Sequence, residues 1–269
     1  MALIVPEVYG DLAQASFVGK AVVLNSGATL QDNTLEGVPG DTVHFPKWDL
    51  IGDQLDDLTT GVAMTPAVLG QSDSTATIKE AGKAVEIQDA DKLTALGDGQ
   101  SEAIRQFGIM AARKVDADLI TAAVAAGSNV VTPTAGVKAS WSVVVDMIAT
   151  FGDDWDPSQF AGLFIRSEQQ ADLFKDPQFV DASKLGGGDT VVKRGQLGVI
   201  GGLGVFVSNR LPANKVALLE VNSLGALYKR RPVVETDRDI LKRSDVVTTN
   251  VHYAVKRLKD SGVCVATFS

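Results

Sequence analysis

The stretch "DGQSEAIRQFGIMAARKVDADLITAAVAAGS" constrains this chain more than any other. Ile104, Phe107, Ala111, Val115, Leu119 and Ala122 or Ala123 recur at three- and four-residue spacing, a single apolar stripe along one helix. Ser101 is the expected N-cap, and Glu102 falls in the first turn, where a carboxylate suits the helix dipole. Gly127 is the expected stop. A helix over 101–127 is about 40 Å long at 1.5 Å per residue, unusual where the mean helix has about 11–12 residues.

The region before it, Asp32 to Asp91, has the opposite character. "VPGDTVHFPKW" reads as a turn at Pro39–Gly40 followed by a strand. "SDSTATIKEAGKAVEIQD" reads as a strand, a break at Gly82 and another strand, and the acidic "DLIGDQLDDLTTG" lies between the two parts. Rich in Asp, Gly and Thr and poor in large apolar residues, the region cannot form a compact core. An extended β arm or long hairpin is expected. Residues before it carry only a short amphipathic stretch, "VYGDLAQASFVGKAVV".

After the long helix, "WSVVVDMIATFG" reads as a second helix, and "QFAGLFIRSEQQADLFKD" as a buried strand and a short helix ended by Pro177. A glycine hinge, Gly186–Gly188, precedes "GQLGVIGGLGVFVSNRLP" and the strands "VFVSN" and "KVALLEV". From "GALYKRRP" onward the sequence alternates with a period of two through several β segments.

The glycine-rich stretch invites a phosphate-loop reading and fails it. A dinucleotide fingerprint follows a strand and opens a helix. Here Gly202 and Gly204 have Val207 at the third glycine position, and the loop runs into a strand. Gly19-Lys20-Ala21 and Gly82-Lys83-Ala84 lack the Ser or Thr of a P-loop. His44 and His252 each lie in an alternating β segment, where a half-buried structural role is the default. Asp153, Asp154 and Asp156 suggest a calcium loop without its glycine and terminal glutamate. Cys264, the one cysteine, sits in "GVCVATF" and reads as a buried strand thiol. With no nucleophile elbow either, no catalytic, cofactor or metal site is assigned, and an enzyme is not expected. No apolar run approaches the roughly 18 residues of a membrane span.

The net charge of −8 argues against a general nucleic-acid binder. Its distribution is uneven. Asp32 to Asp91 holds 12 acidic and 3 basic residues, a local −9, whereas Lys229 to Asp260 holds 9 basic and 5 acidic, a local +4. Such segregation suits one region meeting the other on a neighbouring copy.

The order of these parts resembles the tailed-phage major capsid proteins of the Hong Kong 97 fold. "PEVY" opens an N-terminal arm; "GDTVHFPKWDLIGDQLDDLTTG" and "ATIKEAGKAVEIQD" resemble the limbs of the family's extended loop; the helix from Ser101 resembles its spine helix. "GLFIRSEQQADLFKD" resembles the strand-then-helix of the axial domain, "GQLGVIGGLGVFVSNRLP" its turn and strand after a mobile loop, and "GALYKRRPVVETDRD" the return into the peripheral domain. The resemblance covers nearly the whole chain. It implies an α+β fold with an arm over residues 1–31, an extended loop over 32–91, a peripheral domain over 92–150 and 229–269 with spine helix 101–127, and an axial domain over 151–228.

By the same resemblance the function is structural: self-assembly into pentamers and hexamers of an icosahedral shell that encloses double-stranded DNA without reading its sequence. The setting implied is the virion, assembled in the bacterial cytoplasm. The implied partners are other copies of the chain, a portal and room for a decoration protein. The arm begins almost at Met1, so scaffolding is expected to be a separate protein. The glycines of "GQLGVIGGLGVFVSNRLP" are then needed for sharp backbone turning. Because the family's extended loop lies over the neighbour's peripheral domain, Asp53, Asp56 and Asp57 are expected to approach Lys229, Arg230 and Arg231, or Lys242 and Arg243. The alternative is an encapsulin-like nanocompartment subunit, which shares the fold and encloses protein cargo.

Overall fold

The computed structural model describes residues 21–32, 36, 39–48, 51–52, 55–58, 60–61, 63–94, 98–176, 199–200 and 202–268. The arm before Ala21, Pro177, the hinge Gly186–Gly188 and Asp53 lie outside them.

The long helix α2 (Gly99–Ala123) organises everything else; a six-residue helix, α1 (Asp89–Thr94), precedes it. Asp98, not Ser101, caps α2: its Oδ1 accepts from the Gln100 N–H at 3.0 Å, and the Ser101 hydroxyl donates to the other oxygen. An Asp three residues earlier offers both oxygens to the first turn, so it outcompetes the serine. Glu102 does lie in the first turn.

The helix ends four residues before Gly127, through an arrangement the sequence hid. Arg257, buried on a distant strand, donates to the carbonyls of Ala123 (3.3 Å), Ala125 (2.8 Å) and Ala126 (2.7 Å), and its Nε pairs with Asp260 at 2.7 Å. The orphan carbonyls of a helix end thus meet a cation. Gly127, at φ +97°, keeps a Cβ from standing 2.8 Å from that guanidinium.

Two sheets flank the helix. The four-stranded sheet has the order β1 (Thr29–Asp32), β10 (Leu224–Asp239), β11 (Ser244–Arg257), β4 (Lys79–Gln88). The several β segments expected near the C-terminus are mainly one long hairpin, β10–β11. Ile104 and Phe107 of α2 pack on Val234 and Val247, with Val85 and Ile87 beside them. Further along the helix, Ala112, Val115 and Leu119 meet Ala226, Tyr228, Val251 and Tyr253. Gly82 does not break its strand: β4 runs through it, paired with Asn250. A Cβ there would stand 2.6 Å from the Thr249 carbonyl, so this glycine serves close strand approach.

The six-stranded sheet has the order β5 (Asn129–Val131), β12 (Val263–Thr267), β9 (Lys215–Glu220), β6 (Phe160–Ile165), β8 (Leu203–Val207), β7 (Val199–Ile200). Its inner strands β12, β9 and β6 are buried on both faces, and their side chains split with period two. Phe164, Ala217, Leu219, Val263 and Val265 face the C-terminal half of α2. Leu163, Ile165, Val216, Leu218, Cys264 and Ala266 face α3 (Trp141–Ala149) and α4 (Ser167–Lys175) through Val143, Met147 and Leu173. The sheets therefore divide the C-terminal segment, with residues 224–257 in one and 263–267 in the other.

Within the glycine-rich stretch, Gly202 turns the chain from β7 into β8. Gly202 has φ +87°, and Ile200 pairs with Leu203 across the turn. Gly162, at φ +149°, lies against the Gly204 carbonyl, 2.3 Å from where a Cβ would sit.

Before β1, residues 21–28 tuck under α2. Asp116, buried on the helix, accepts from the N–H groups of Val22 (2.6 Å) and Leu24 (3.2 Å). Burial pushes its carboxyl above the usual range, and those backbone donors oppose the rise.

Candidate functional site

A two-stranded hairpin, β2 (Thr42–Trp48) with β3 (Gln71–Thr77), projects from this body. Its base is anchored: Val43 and Ala76 pack with Leu227 and Ala254, with Phe45 and Ile78 beside them. His44, expected to be half-buried, is mostly exposed and pairs with Asp73 at 2.5 Å. Between the two strands, the described residues from 51 to 70 are almost all exposed. Leu55 is 98% exposed, and Ile51, Leu58, Met64 and Val68 are also open to solvent. Leu55, Leu58, Ala63 and Met64 enclose a concavity of about 460 Å³, with Asp56 and Asp57 in its wall. Exposed aliphatic side chains grouped on one projecting loop suit contact with another molecule.

The far end of the four-stranded sheet carries the second unpartnered apolar feature. The β10–β11 turn lifts Ile240 and Leu241 into solvent, 77% and 95% exposed. The turn is held stiffly: Asp239 Oδ1 accepts from the N–H groups of Leu241 (3.0 Å) and Lys242 (3.1 Å), and Arg243 has φ +55°. Below it, Arg238 pairs with Asp89 at 2.8 Å and Asp245 at 2.9 Å, and Lys92 also pairs with Asp245. The Arg238 hydrogen bond holds the Asp89 carboxyl below its usual range, and Lys92, with Arg238, does the same for Asp245. These pairs tie α1 to the hairpin.

The charged residues singled out from the sequence fall into three groups. Asp56 and Asp57 are exposed on the concavity, and Asp53 lies outside the described residues. Lys229, Arg230 and Arg231 already have partners within the chain. The Lys229 ammonium donates to the Gly40 carbonyl, Arg230 pairs with Glu235 at 2.9 Å, and the Arg231 guanidinium sits 5.6 Å from the Tyr228 ring centroid. Lys242 and Arg243 are exposed beside Leu241, with Lys242 only 3.9 Å from Asp239. Among the described residues, Asp56 and Asp57 form no ion pair with these basic groups within one chain. Ile240 and Leu241 escaped the sequence reading; their signal was two large aliphatics inside the charged turn "DRDILKRSD".

Cys264 is fully buried, and burial pushes its thiol up to about 11. Asp156 caps a short turn, accepting from the Ser158 N–H at 2.9 Å. Among the described residues no group of His, Cys, Asp and Glu could hold a metal ion, and no helix is long and apolar enough to cross a membrane.

Residues 71–266 match the family model for phage capsid proteins. The chain belongs to the phage capsid protein family. It is 30% identical over 274 residues to the major capsid protein of Staphylococcus phage phiMR11, covering 96% of this chain and 94% of that protein. The capsid structure of cyanophage P-SCSP1u superposes with a TM-score of 0.75 at 13% identity, covering 93% of this chain and 89% of that one. A virus-like particle from Pyrococcus furiosus superposes with a TM-score of 0.64 at 10% identity, covering 97% and 98%. The fold is thus the Hong Kong 97-like capsid fold, and the role of the phage capsid protein is structural, as part of the virion shell.

Proposed function

We propose that this phage capsid protein is the major subunit of an icosahedral shell, assembling as pentamers and hexamers around double-stranded DNA. The observation that carries the reading is the projecting loop, whose aliphatic residues have no core of their own. Such surface is unfavourable on an isolated subunit and suits an obligate assembly, whose interfaces usually bury more than about 2,000 Å². In this reading the four-stranded sheet with α2 is the peripheral domain and the body of the six-stranded sheet is the axial domain. Scaffolding and portal proteins are further partners, a decoration protein has room on the outside, and assembly takes place in the bacterial cytoplasm. The acidic net charge supports a container that does not grip its DNA. No catalytic role is assigned.

The likeness to the Pyrococcus furiosus particle concerns the fold alone. The encapsulin-like alternative is separated by content: phage particles hold genomic DNA, compartments hold protein cargo. Electron microscopy of the chain expressed alone and with its genomic neighbours tests the proposal. Closed shells, or rings that close only with a partner, are expected. A uniform monomer under both conditions refutes it.

A further inference from the structure

We propose that the outer edge of β4 takes an added strand from a different protein, an extended segment with apolar side chains and a carboxylate on the face it turns towards α2. This goes beyond the shell-subunit reading, since the occupant is not a copy of the chain. The edge, the uncovered apolar layer beside it and the charge of that layer lead to it.

Strand β4 is the last in the order of its sheet, and among the described residues no strand pairs with its outer side. It is 10 residues long, about 33 Å at 3.3 Å per residue. A row of N–H and C=O groups of that length is a template for one more strand.

The layer between α2 and the sheet is unfinished at this edge. Ala81, Val85 and Ile87 of β4 pack towards α2, and alternation puts Lys83 on the same face. On the neighbouring strand β11, the residues of that face, Val247, Val251 and Tyr253, are fully covered. On β4, Ala81, Val85 and Ile87 are only half-buried and Lys83 is exposed. Phe107, Met110 and Ala111 of α2 form a groove with Ala81 and Val251, about 460 Å³ in volume. A strand added about 4.8 Å beyond β4 lays every second side chain over this groove. Met110, exposed on its wall, is a flexible residue that adapts to the shape of a guest.

Charge selects the occupant. Lys83 and Lys114 stand on the two walls of the groove. Among the described residues Lys83 has no ion-pair or hydrogen-bond partner, and Lys114 is more than half exposed although it pairs with Asp118 at 3.2 Å. The one carboxylate of the lining, Glu80, lies 3.6 Å from His252. Pairing two copies through this edge brings the two Lys83 side chains together on one face, and like charges across strands are destabilising. The chain's own acidic stretch "IGDQLDDL" carries Gly52, Asp53, Asp56 and Asp57, residue types depleted in strands. Lys83 thus disfavours a second copy and favours a strand that brings a carboxylate.

The test uses the unassembled full chain and two labelled peptides of the length of β4. Both alternate threonine with valine; one carries a central glutamate on the valine face and the other a lysine there. By fluorescence anisotropy the glutamate peptide is expected to bind about tenfold more tightly at low salt, with the difference shrinking as salt rises. Amide exchange should slow at residues 79–88 on binding, and a benzophenone on the valine face should cross-link to Met110. Lys83→Glu with Lys114→Glu should reverse the preference in favour of the lysine peptide. If the glutamate peptide does not bind, if protection falls outside β4, or if the charge swap leaves the preference unchanged, the strand addition is wrong. If assembly of this chain alone already slows exchange at residues 79–88, a second copy holds the edge and the proposal is equally wrong. Electron microscopy reads shell closure separately, so the shell reading stands or falls on its own result.

Discussion

Replacing Arg257 by Met removes the cation that ends the long helix while keeping most of the apolar stem. The Ala123 carbonyl it leaves behind is buried, and an orphaned buried carbonyl costs about 1–3 kcal/mol. The carbonyls of Ala125 and Ala126 belong to exposed residues and regain water, so they add little. Losing positive charge at a helix C-terminus adds about 0.3–1 kcal/mol. Asp260 is about half exposed, and its lost pair is worth at most about 1 kcal/mol. The expected loss is therefore about 2–4 kcal/mol, or about 5–10 °C in the Tm of a chain this size. Denaturation of the unassembled subunit followed by circular dichroism measures it. Arg257→Lys should fall about midway, because one ammonium cannot fork to three carbonyls. Amide exchange should quicken at residues 120–126 in the Met variant. A Met variant within about 0.5 kcal/mol of wild type would refute the capping argument.

Gly82→Ala forces a Cβ towards the Thr249 carbonyl and should cost about 1–3 kcal/mol, read from the denaturation midpoint. Asp116→Ala orphans the N–H groups of Val22 and Leu24, and limited proteolysis should cut within residues 21–28 sooner than in wild type. The Glu102 carboxyl is held down to about 2, chiefly by the Arg105 hydrogen bond, from an ordinary 4.5. Its stabilising contribution is complete above about pH 4.5 and lost as pH falls towards 2, so Glu102→Gln should flatten the stability profile between those values. Cys264 should resist a thiol reagent at pH 8 in the native protein and react fully once unfolded.

The sequence made the scaffold legible where burial imposes a period. The stripe from Ile104 to Leu119 marked the helix, and "QFAGLFIRSEQQADLFKD" marked β6 and α4, because each is a continuous element with one environment per face. What escaped depended on contacts distant in the chain. Gly82 looks like a break until β11 lies beside it, and the helix end at Ala123 depends on Arg257, more than a hundred residues away. At the site, charge segregation pointed to the two regions that differ, but could not rank the basic groups. That needed the internal partners of Lys229, Arg230 and Arg231, which only the fold supplies.

Strand β12, Val263–Thr267, lies between β5 and β9 in the interior of its sheet. Until that segment leaves the ribosome, β9 has one bare edge, β5 has no neighbour, and the cluster around Val263 and Val265 is unfilled. A chain terminated before this segment exposes a sticky sheet edge instead of a finished body. In a lattice built from many identical pieces, one misshapen piece disturbs all its neighbours. An interior strand so far along the chain makes the native shape of each copy depend on residues 263–267.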